Sequence, residues 1–313
     1  MRFAFFLVIF ALSSCRSSKI DPEPAVIISE RLRAQSDRIR PLFLRCDGMA
    51  AESGPNSVTQ RPDCSTGDSV LWTSLAIAAK RDASMEASIK ASVDDEGKPW
   101  RSPEHRKAQQ EVNAFSRDHY TGLLLYAVAT KDKRLIASVY DYARARDFKL
   151  CPKDTDDRCF LTPNMLALTS DVFGYLGISK GSELTFNRRI DELVLNESAK
   201  KAEGYEAHLV SINVLIRLRV GKANAGYRDA VKTLLERHPD NLWYGYLNNV
   251  LNDNSQAEAD RIGSELASLM ERWPEGDRSQ WSFQREKFTE TSKDAMGAEF
   301  VMLADLLLGA GGD

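Results

Sequence analysis

Five consecutive polar residues, Ser116 to Tyr120 (SRDHY), stand directly before an apolar run from Thr121 to Ala129. Arg117 carries a guanidinium, Asp118 a carboxylate and His119 an imidazole. Such groups can serve as general acid, as general base and as a charge that keeps a carboxylate ionised. The run that follows is apolar nearly all round a helix, which is typical of a helix buried on most faces. We therefore predict that the polar residues at its start open onto a functional cleft.

Five further junctions between a polar segment and an apolar helix follow the same pattern. The six apolar helices are predicted to begin near residues 68, 118, 163, 205, 241 and 292, and a more polar, amphipathic helix precedes each of them, as over 104–114. The intervals of 50, 45, 42, 36 and 51 residues are those of helix pairs. No low-complexity linker follows Pro24, so we expect one all-α domain over residues 26–313.

Six hairpins that alternate an apolar helix with a half-polar one resemble the (α/α)6 toroid of many polysaccharide-active enzymes. The alternative is an open α-solenoid of the tetratricopeptide or HEAT kind. The irregular intervals, the lack of a tetratricopeptide pattern and the apolar character of the second helices favour the closed toroid. In such a toroid the six apolar helices form an inner ring. The resemblance implies that these helices run parallel and that their N-termini lie at one mouth of the ring, where such enzymes hold their substrate.

The residues at these six helix starts form the predicted site. The predicted catalytic residues are Asp47, Asp68, Asp118 and His119. The predicted substrate-binding residues are Trp72, Arg117, Tyr120, Glu206, His208, Asn241, Trp243, Tyr244, Trp281 and Arg285, with Asn164 and Lys293 at the same mouth. Aromatic faces stack on sugar rings while charged groups orient hydroxyls, so this mixture predicts a polysaccharide ligand, including one with acidic or amino sugars.

Two reactions are compatible with these groups. Glycoside hydrolysis needs two carboxyl groups on either side of the scissile bond, which Asp118 and either Asp68 or Asp47 would supply. That arrangement resembles the unsaturated glucuronyl hydrolases, whose toroid uses two aspartates. β-Elimination would instead use His119 or His208 with Tyr120 and Arg117, as His, Tyr and Arg act in toroid lyases such as alginate lyase. Those lyases pair Asn with His where this chain has Asp118-His119, so hydrolysis is preferred.

A third possibility is a non-catalytic protein that binds glycans or partner proteins, and structural roles compete for several candidate residues. Asp68 and Asn241 stand where helix N-caps belong. Asp118 could act as a first-turn acid or pair with Arg117, and His208 fits the wall of a core better than a base. No cofactor is expected. A metal site is not predicted either, because none of the 4 histidines lies near a cysteine at ligand spacing.

The N-terminus resembles that of a bacterial lipoprotein. Arg2 supplies a positive charge, Phe3 to Leu12 is an apolar segment too short to span a bilayer, and Leu12-Ser13-Ser14-Cys15 resembles the lipobox. The resemblance implies removal of residues 1–14, which leaves 313 − 14 = 299 residues, and lipidation of Cys15. The alternative is an ordinary secretory signal with an incidental cysteine.

Acyl chains on Cys15 would anchor an otherwise soluble domain to a membrane, with residues 15–25 as the lipidated cysteine and its polar tether. In enteric bacteria Asp after the lipidated cysteine retains lipoproteins at the inner membrane. Arg16 occupies that position here. We therefore expect the bacterial cell envelope, at the outer membrane facing the periplasm or the surface.

The other cysteines predict disulfides. An even number in an exported chain is typical of disulfide bonding, and of three possible pairings the sequence-local one joins Cys46 to Cys64 and Cys151 to Cys159. The whole chain carries 42 basic and 45 acidic residues. No basic stretch is interleaved with aromatic residues, so nucleic acid is not a predicted partner. The expected partners are the membrane and a polysaccharide, and the protein is expected to be a monomer.

Overall fold

The all-α prediction is confirmed. A computed structural model describes residues 25–42, 48–49, 69–112, 114–151, 159–180, 187–202, 204–252, 254–272 and 298–309. Over this part the chain forms thirteen α-helices, one short 3-10 helix (Arg40–Leu42) and no strand. The helices are α1 (Ala25–Ile39), α2 (Ser69–Ala79), α3 (Ala83–Ala91), α4 (Pro103–Lys107), α5 (Arg117–Thr130), α6 (Lys133–Arg144), α7 (Pro163–Leu176), α8 (Arg188–Lys201), α9 (Gly204–Arg219), α10 (Ala225–Arg237), α11 (Leu242–Asn252), α12 (Gln256–Arg272) and α13 (Ala298–Gly309).

Five of the six apolar helices begin within one residue of their predicted starts. These are α2, α5, α7, α9 and α11. The predicted start of the sixth helix, near residue 292, lies outside the described residues, and α13 is described from residue 298. Local capping explains the accuracy. Thr162 accepts a hydrogen bond from the Met165 amide, and Pro163 occupies the first turn of α7. Asn241 Oδ1 likewise accepts from two amides at the start of α11.

The polar segment before α5 differs from the prediction over 104–114. Among the described residues of that segment, only those of α4, from Glu104 to Lys107, are helical, and the separate helix α3 precedes α4. Asp82 caps α3 by accepting hydrogen bonds from the amides of Ser84 and Met85. Gln109, with φ of 51°, has left the right-handed helical region soon after α4 ends.

Among the described helices, α5 has the longest uninterrupted buried stretch. Every residue from His119 to Val128 is buried, and α5 packs against α2, α6, α7 and α9. Its largest contact is with α2. A β-carbon added to Gly122 would lie 2.7 Å from Leu71 Cα and 3.2 Å from the Val70 carbonyl oxygen. The two helix backbones therefore approach closely because position 122 has no side chain.

The first and last described helices meet. α1 packs against α12 and α13, α13 packs against α2, and the series α2, α5, α7, α9, α11 is joined by neighbour contacts. α5 also contacts α9 directly. These contacts show which helices are neighbours. They do not show whether the apolar helices form an inner ring and the more polar helices an outer one, as a toroid requires, so the closed toroid stays a prediction. Among the described helices, none combines the length and the apolar character needed to cross a membrane.

The predicted disulfide between Cys151 and Cys159 is present, with a Cα–Cα distance of 5.4 Å. Both cysteines are fully buried. Cys151 Sγ lies 3.0 Å from the carbonyl oxygen of Phe115, the residue before the N-cap of α5. The disulfide therefore packs against the segment that leads into the central helix. Cys46 and Cys64 lie outside the described residues.

We expect Gly122→Ala to lower the free energy of unfolding by about 1–3 kcal/mol, because the new methyl group forces α5 away from α2. Gly174→Ala in α7 is the matched control, since a β-carbon there meets nothing within 4 Å. It should raise stability by about 0.5–1 kcal/mol through helix propensity. Urea unfolding followed by circular dichroism measures both, and equal effects of the two changes would contradict the close contact.

Candidate functional site

A cavity of about 850 Å³ lies at the N-terminal ends of α5, α7 and α9, with α8 as a further wall. This volume falls in the range of about 300–1,000 Å³ that is typical of small-molecule sites. The lining residues come mainly from these four helices and their starts. They are Arg101, Ser116, Arg117, Asp118, Thr121, Thr162, Asn164, Met165, Leu193, Val194, Leu195, Glu197, Ser198, Lys201, Ala202, Glu206, Leu209, Val210 and Asn213.

The polar residues that open α5 divide between the cavity and the core. Arg117 and Asp118 are partly exposed and line the cavity. His119 is fully buried, and its Nδ1 lies 2.6 Å from Ser116 Oγ. Successive helical residues point about 100° apart, so these neighbours cannot all face one cavity. His119 is therefore corrected from a predicted catalytic residue to a buried partner of the N-cap serine.

One face of α9 forms a second wall. Glu206, Leu209, Val210 and Asn213 recur at the three- and four-residue spacing that places side chains on one face of a helix. Glu206 is exposed, while Asn213 is partly buried about 10 Å further along the helix, at 1.5 Å per residue. The wall therefore runs from a charged rim, over an apolar patch, to an amide.

His208 lies on the opposite side of α9. It is 2% exposed and stacks on Trp72, with ring centroids 5.0 Å apart and planes inclined by 13°. Burial lowers the pKa of His208 to about 3, so the ring is neutral at physiological pH. His208 is therefore a core residue, which is one of the two positions that the sequence allows, and it does not line the cavity.

Helix α8 supplies the wall that sequence reasoning missed. Leu193 and Val194 are 59% and 41% exposed, although both line the cavity. Glu197 accepts a hydrogen bond from Lys200 at 2.8 Å, which lowers the pKa of its carboxyl and keeps it ionised. Lys201 lies 4.0 Å from the same carboxylate. The sequence indicates only a more polar helix ahead of the apolar helix predicted to begin near residue 205, and no α8 residue is among the predicted site residues.

The cavity collects three carboxylates and three cations. The carboxylates are those of Asp118, Glu197 and Glu206, and the cations are Arg101, Arg117 and Lys201. Over the described ranges, the side chains of Arg117 and Glu206 form neither an ion pair nor a hydrogen bond. The pairing of Arg117 with Asp118 that the sequence allowed is therefore not formed. Arg117 and Glu206 are open to a ligand from the cavity.

Four aromatic residues predicted to bind substrate lie in the core instead. Tyr120, Trp72, Trp243 and Tyr244 are each at most 2% exposed. The Tyr120 hydroxyl lies 2.9 Å from Thr169 Oγ1, and Trp243 Nε1 donates to Ser211 Oγ at 2.8 Å. Aromatic side chains buried to this degree pack a core and have no face open to a sugar. We reassign all four to the core, and Asn241 to the cap of α11.

The predicted aspartate pair is only partly visible. Asp47, Asp68, Trp281, Arg285 and Lys293 lie outside the described residues. The structure brings Asp118 together with Arg117, Asn164 and Glu206, all of which the sequence placed at one mouth. Sequence reasoning missed Arg101, Glu197, Lys201 and Asn213; only Asn213 had a usable signal, its seven-residue spacing from Glu206.

Comparison of the chain with protein-family models, with curated proteins and with solved structures finds no match. Its function therefore has to be inferred from the chemistry of the cavity. Within the described ranges, no group of three or more His, Cys, Asp or Glu side chains is arranged to hold a metal ion.

The neutral state of His208 predicts a pH dependence of stability. Its pKa rises from about 3 in the folded chain to its ordinary value of 6.5 on unfolding. Between these values the unfolded chain binds one more proton, so stability is lost as the pH falls below 6.5, with a slope approaching ~1.4 kcal/mol per pH unit. Urea unfolding between pH 7 and 5 should give a shallower slope for His208→Gln than for the wild type. Equal slopes would contradict the burial of a neutral imidazole.

Proposed function

We propose that this protein is a lipid-anchored, exported protein whose cavity binds a glycan of the bacterial cell envelope or its surroundings. One observation carries the proposal. Arg117 and Glu206, opposite in charge and without protein partners in the described chain, share a cavity with Asp118 and the amides of Asn164 and Asn213. Charged groups held in a cavity without partners recognise polar groups of a ligand.

The chemistry of a glycan suits both the charged and the apolar residues of the cavity lining. Sugars carry closely spaced hydroxyls, which can donate to Glu206 and Asp118 and accept from Arg117. They also expose C–H faces, and the apolar side chains of Leu209 and Val210 offer a surface for them. The guanidinium of Arg117 additionally suits an acidic sugar, because hydrogen bonds between ions are stronger than neutral ones.

A second candidate function is glycoside hydrolysis. It is favoured by the presence of Asp118 and Glu206 in one cavity, because hydrolysis requires one carboxyl group as acid and another as base or nucleophile. In this scheme Asp118 and Glu206 replace the two-aspartate pair predicted from the sequence. β-Elimination has less support, because His119, His208 and Tyr120 are all buried away from the cavity.

The binding proposal predicts that Arg117→Ala weakens glycan binding. A soluble form that starts at Ser17 would be titrated calorimetrically with a panel of acidic and N-acetylated bacterial polysaccharides. A hydrogen bond to a charged group contributes about 1.5–3 kcal/mol, so affinity should fall about 10-fold or more. Arg228→Ala is the matched control, because Arg228 is an exposed arginine of α10 that lies outside the cavity lining.

Equal affinities of these two variants, or no binding by the wild type to any member of the panel, would contradict the proposal. Release of reducing ends in the same mixtures separates the two candidates. Loss of that release in Asp118→Asn, but not in Asp229→Asn, which changes an exposed residue of α10, would establish hydrolysis. Binding without release would leave the protein as a glycan-binding lipoprotein.

The anchor has its own test. The wild-type chain, expressed in a bacterium, should partition into the detergent phase of Triton X-114, because acyl chains on Cys15 carry it there. Cys15→Ala should remain in the aqueous phase, whereas Ser18→Ala, three residues further on, should behave like the wild type. Aqueous partitioning of the wild-type chain would show that the segment is not a lipobox.

A further inference from the structure

A buried charge cluster lies behind the cavity, where α7, α8, α9 and α10 meet. Its centre is Arg217 of α9, which is fully buried. Arg217 Nη2 donates to Asp191 Oδ2 at 2.5 Å, and Nε lies 3.3 Å from Asp171 Oδ2. The guanidinium carbon lies 4.6 Å from the centroid of the Tyr227 ring. The guanidinium is therefore held from three directions.

The outer members of the cluster fix its geometry and balance its charge. The Tyr227 hydroxyl donates to Asp191 Oδ2 at 2.9 Å, and Arg188 Nη2 donates to Asp171 Oδ1 at 2.8 Å. Two arginines thus face two aspartates, and the formal charges cancel. Arg217 and Asp191 are both buried, so breaking their pair would leave a buried charge unsatisfied. Arg188 is exposed at the outer edge of the cluster.

The cluster reaches the cavity through Asn213. Arg217 Nη1 donates to Asn213 Oδ1 one turn earlier in α9. An arginine side chain has donors only, so the amide atom that faces it must be the oxygen. Asn213 Nδ2, with its two N–H donors, then has no partner among the described residues, and Asn213 lines the cavity. The fixed guanidinium therefore orients an amide donor for a ligand.

We propose that Asn213 is a specificity-determining residue that binds the acetamido group of an N-acetylated amino sugar by donating a hydrogen bond to its carbonyl oxygen. This inference rests on the proposed glycan-binding function. An acetamido group combines a carbonyl oxygen, which accepts from Asn213 Nδ2, with a methyl group. Leu209 and Val210, one turn away on the same face of α9, provide the apolar contact for that methyl.

The electrostatics of the region favour this neutral acceptor. The charges of Arg217, Arg188, Asp171 and Asp191 cancel behind Asn213, so nothing in the cluster attracts an anion to this end of the wall. Glu206 lies about 10 Å away along α9, on the exposed rim. Charged groups of the ligand therefore bind near the rim with Arg117 and Glu206, and the acetamido group binds at Asn213.

Two neutral trisaccharides test the inference by calorimetry on the form that starts at Ser17. The probes are a β-1,4-linked trimer of N-acetylglucosamine and cellotriose, which has hydroxyls in place of the acetamido groups. The wild type should bind the acetylated trimer about 10-fold more tightly or better, because cellotriose lacks the carbonyl and methyl. Asn213→Asp keeps the oxygen that accepts from Arg217 but removes the donor, so it should lose this preference.

Asn252→Asp, which adds the same charge at an exposed position of α11, should keep the preference. Wild-type binding of both trimers with equal affinity would overturn the role of Asn213 and leave the glycan-binding proposal intact. A preference that survives in Asn213→Asp would also overturn it. If the wild type bound neither these trimers nor any polysaccharide of the panel, the proposed function itself would fail. The comparison of the two trimers uses only the wild type, so it tests the inference even if the Asn213→Asp variant does not fold.

Discussion

The rest of the structure depends on the close contact between α5 and α2. Position 122 has no side chain, so the backbones approach until a β-carbon would lie 2.7 Å from Leu71 Cα. That contact, with α6, α7 and α9 on the other sides, buries α5 from His119 to Val128. Only the first turn of α5 remains for polar chemistry, and there Arg117 and Asp118 face the cavity. The position of the candidate site is thus a consequence of how deeply its central helix is buried.

Different interactions position the walls of the cavity: apolar packing and a disulfide for α5, and ion pairs for α8 and α9. The α5 wall is fixed by apolar packing and by the Cys151–Cys159 disulfide beside Phe115. The ion pairs of Arg217 join α9 to Asp191 of α8 and to Asp171 of α7. Helix α10 joins them through Tyr227, whose hydroxyl donates to Asp191. Buried charges lose hydration, and that cost is offset only when every partner is in place, so removal of either aspartate would leave Arg217 buried without its full set of partners. Through its hydrogen bond from Arg217, this cluster orients Asn213 on the α9 wall.

The helices were predictable because their signals are local. Caps such as Thr162 with Pro163, and the change from polar to apolar residues, mark helix starts without reference to the rest of the chain. The side of a helix on which a residue lies depends instead on which helices pack against it. Tyr120 and Trp243 were therefore expected at the cavity and lie in the core, whereas α8, polar in sequence, forms a cavity wall. The Arg217 cluster joins residues of four helices, and no local pattern predicts it.

The central claim is that the ends of α5, α7 and α9 form one glycan site. The most direct measurement is amide hydrogen exchange by mass spectrometry on the form that starts at Ser17, with and without a glycan that it binds. Slower exchange on binding is predicted for the peptides that contain Arg117, Asn164 and Glu206, with no change in α12 at its contact with α1. Protection confined to other helices, with these three peptides unchanged, would show that the glycan binds elsewhere and would contradict this account.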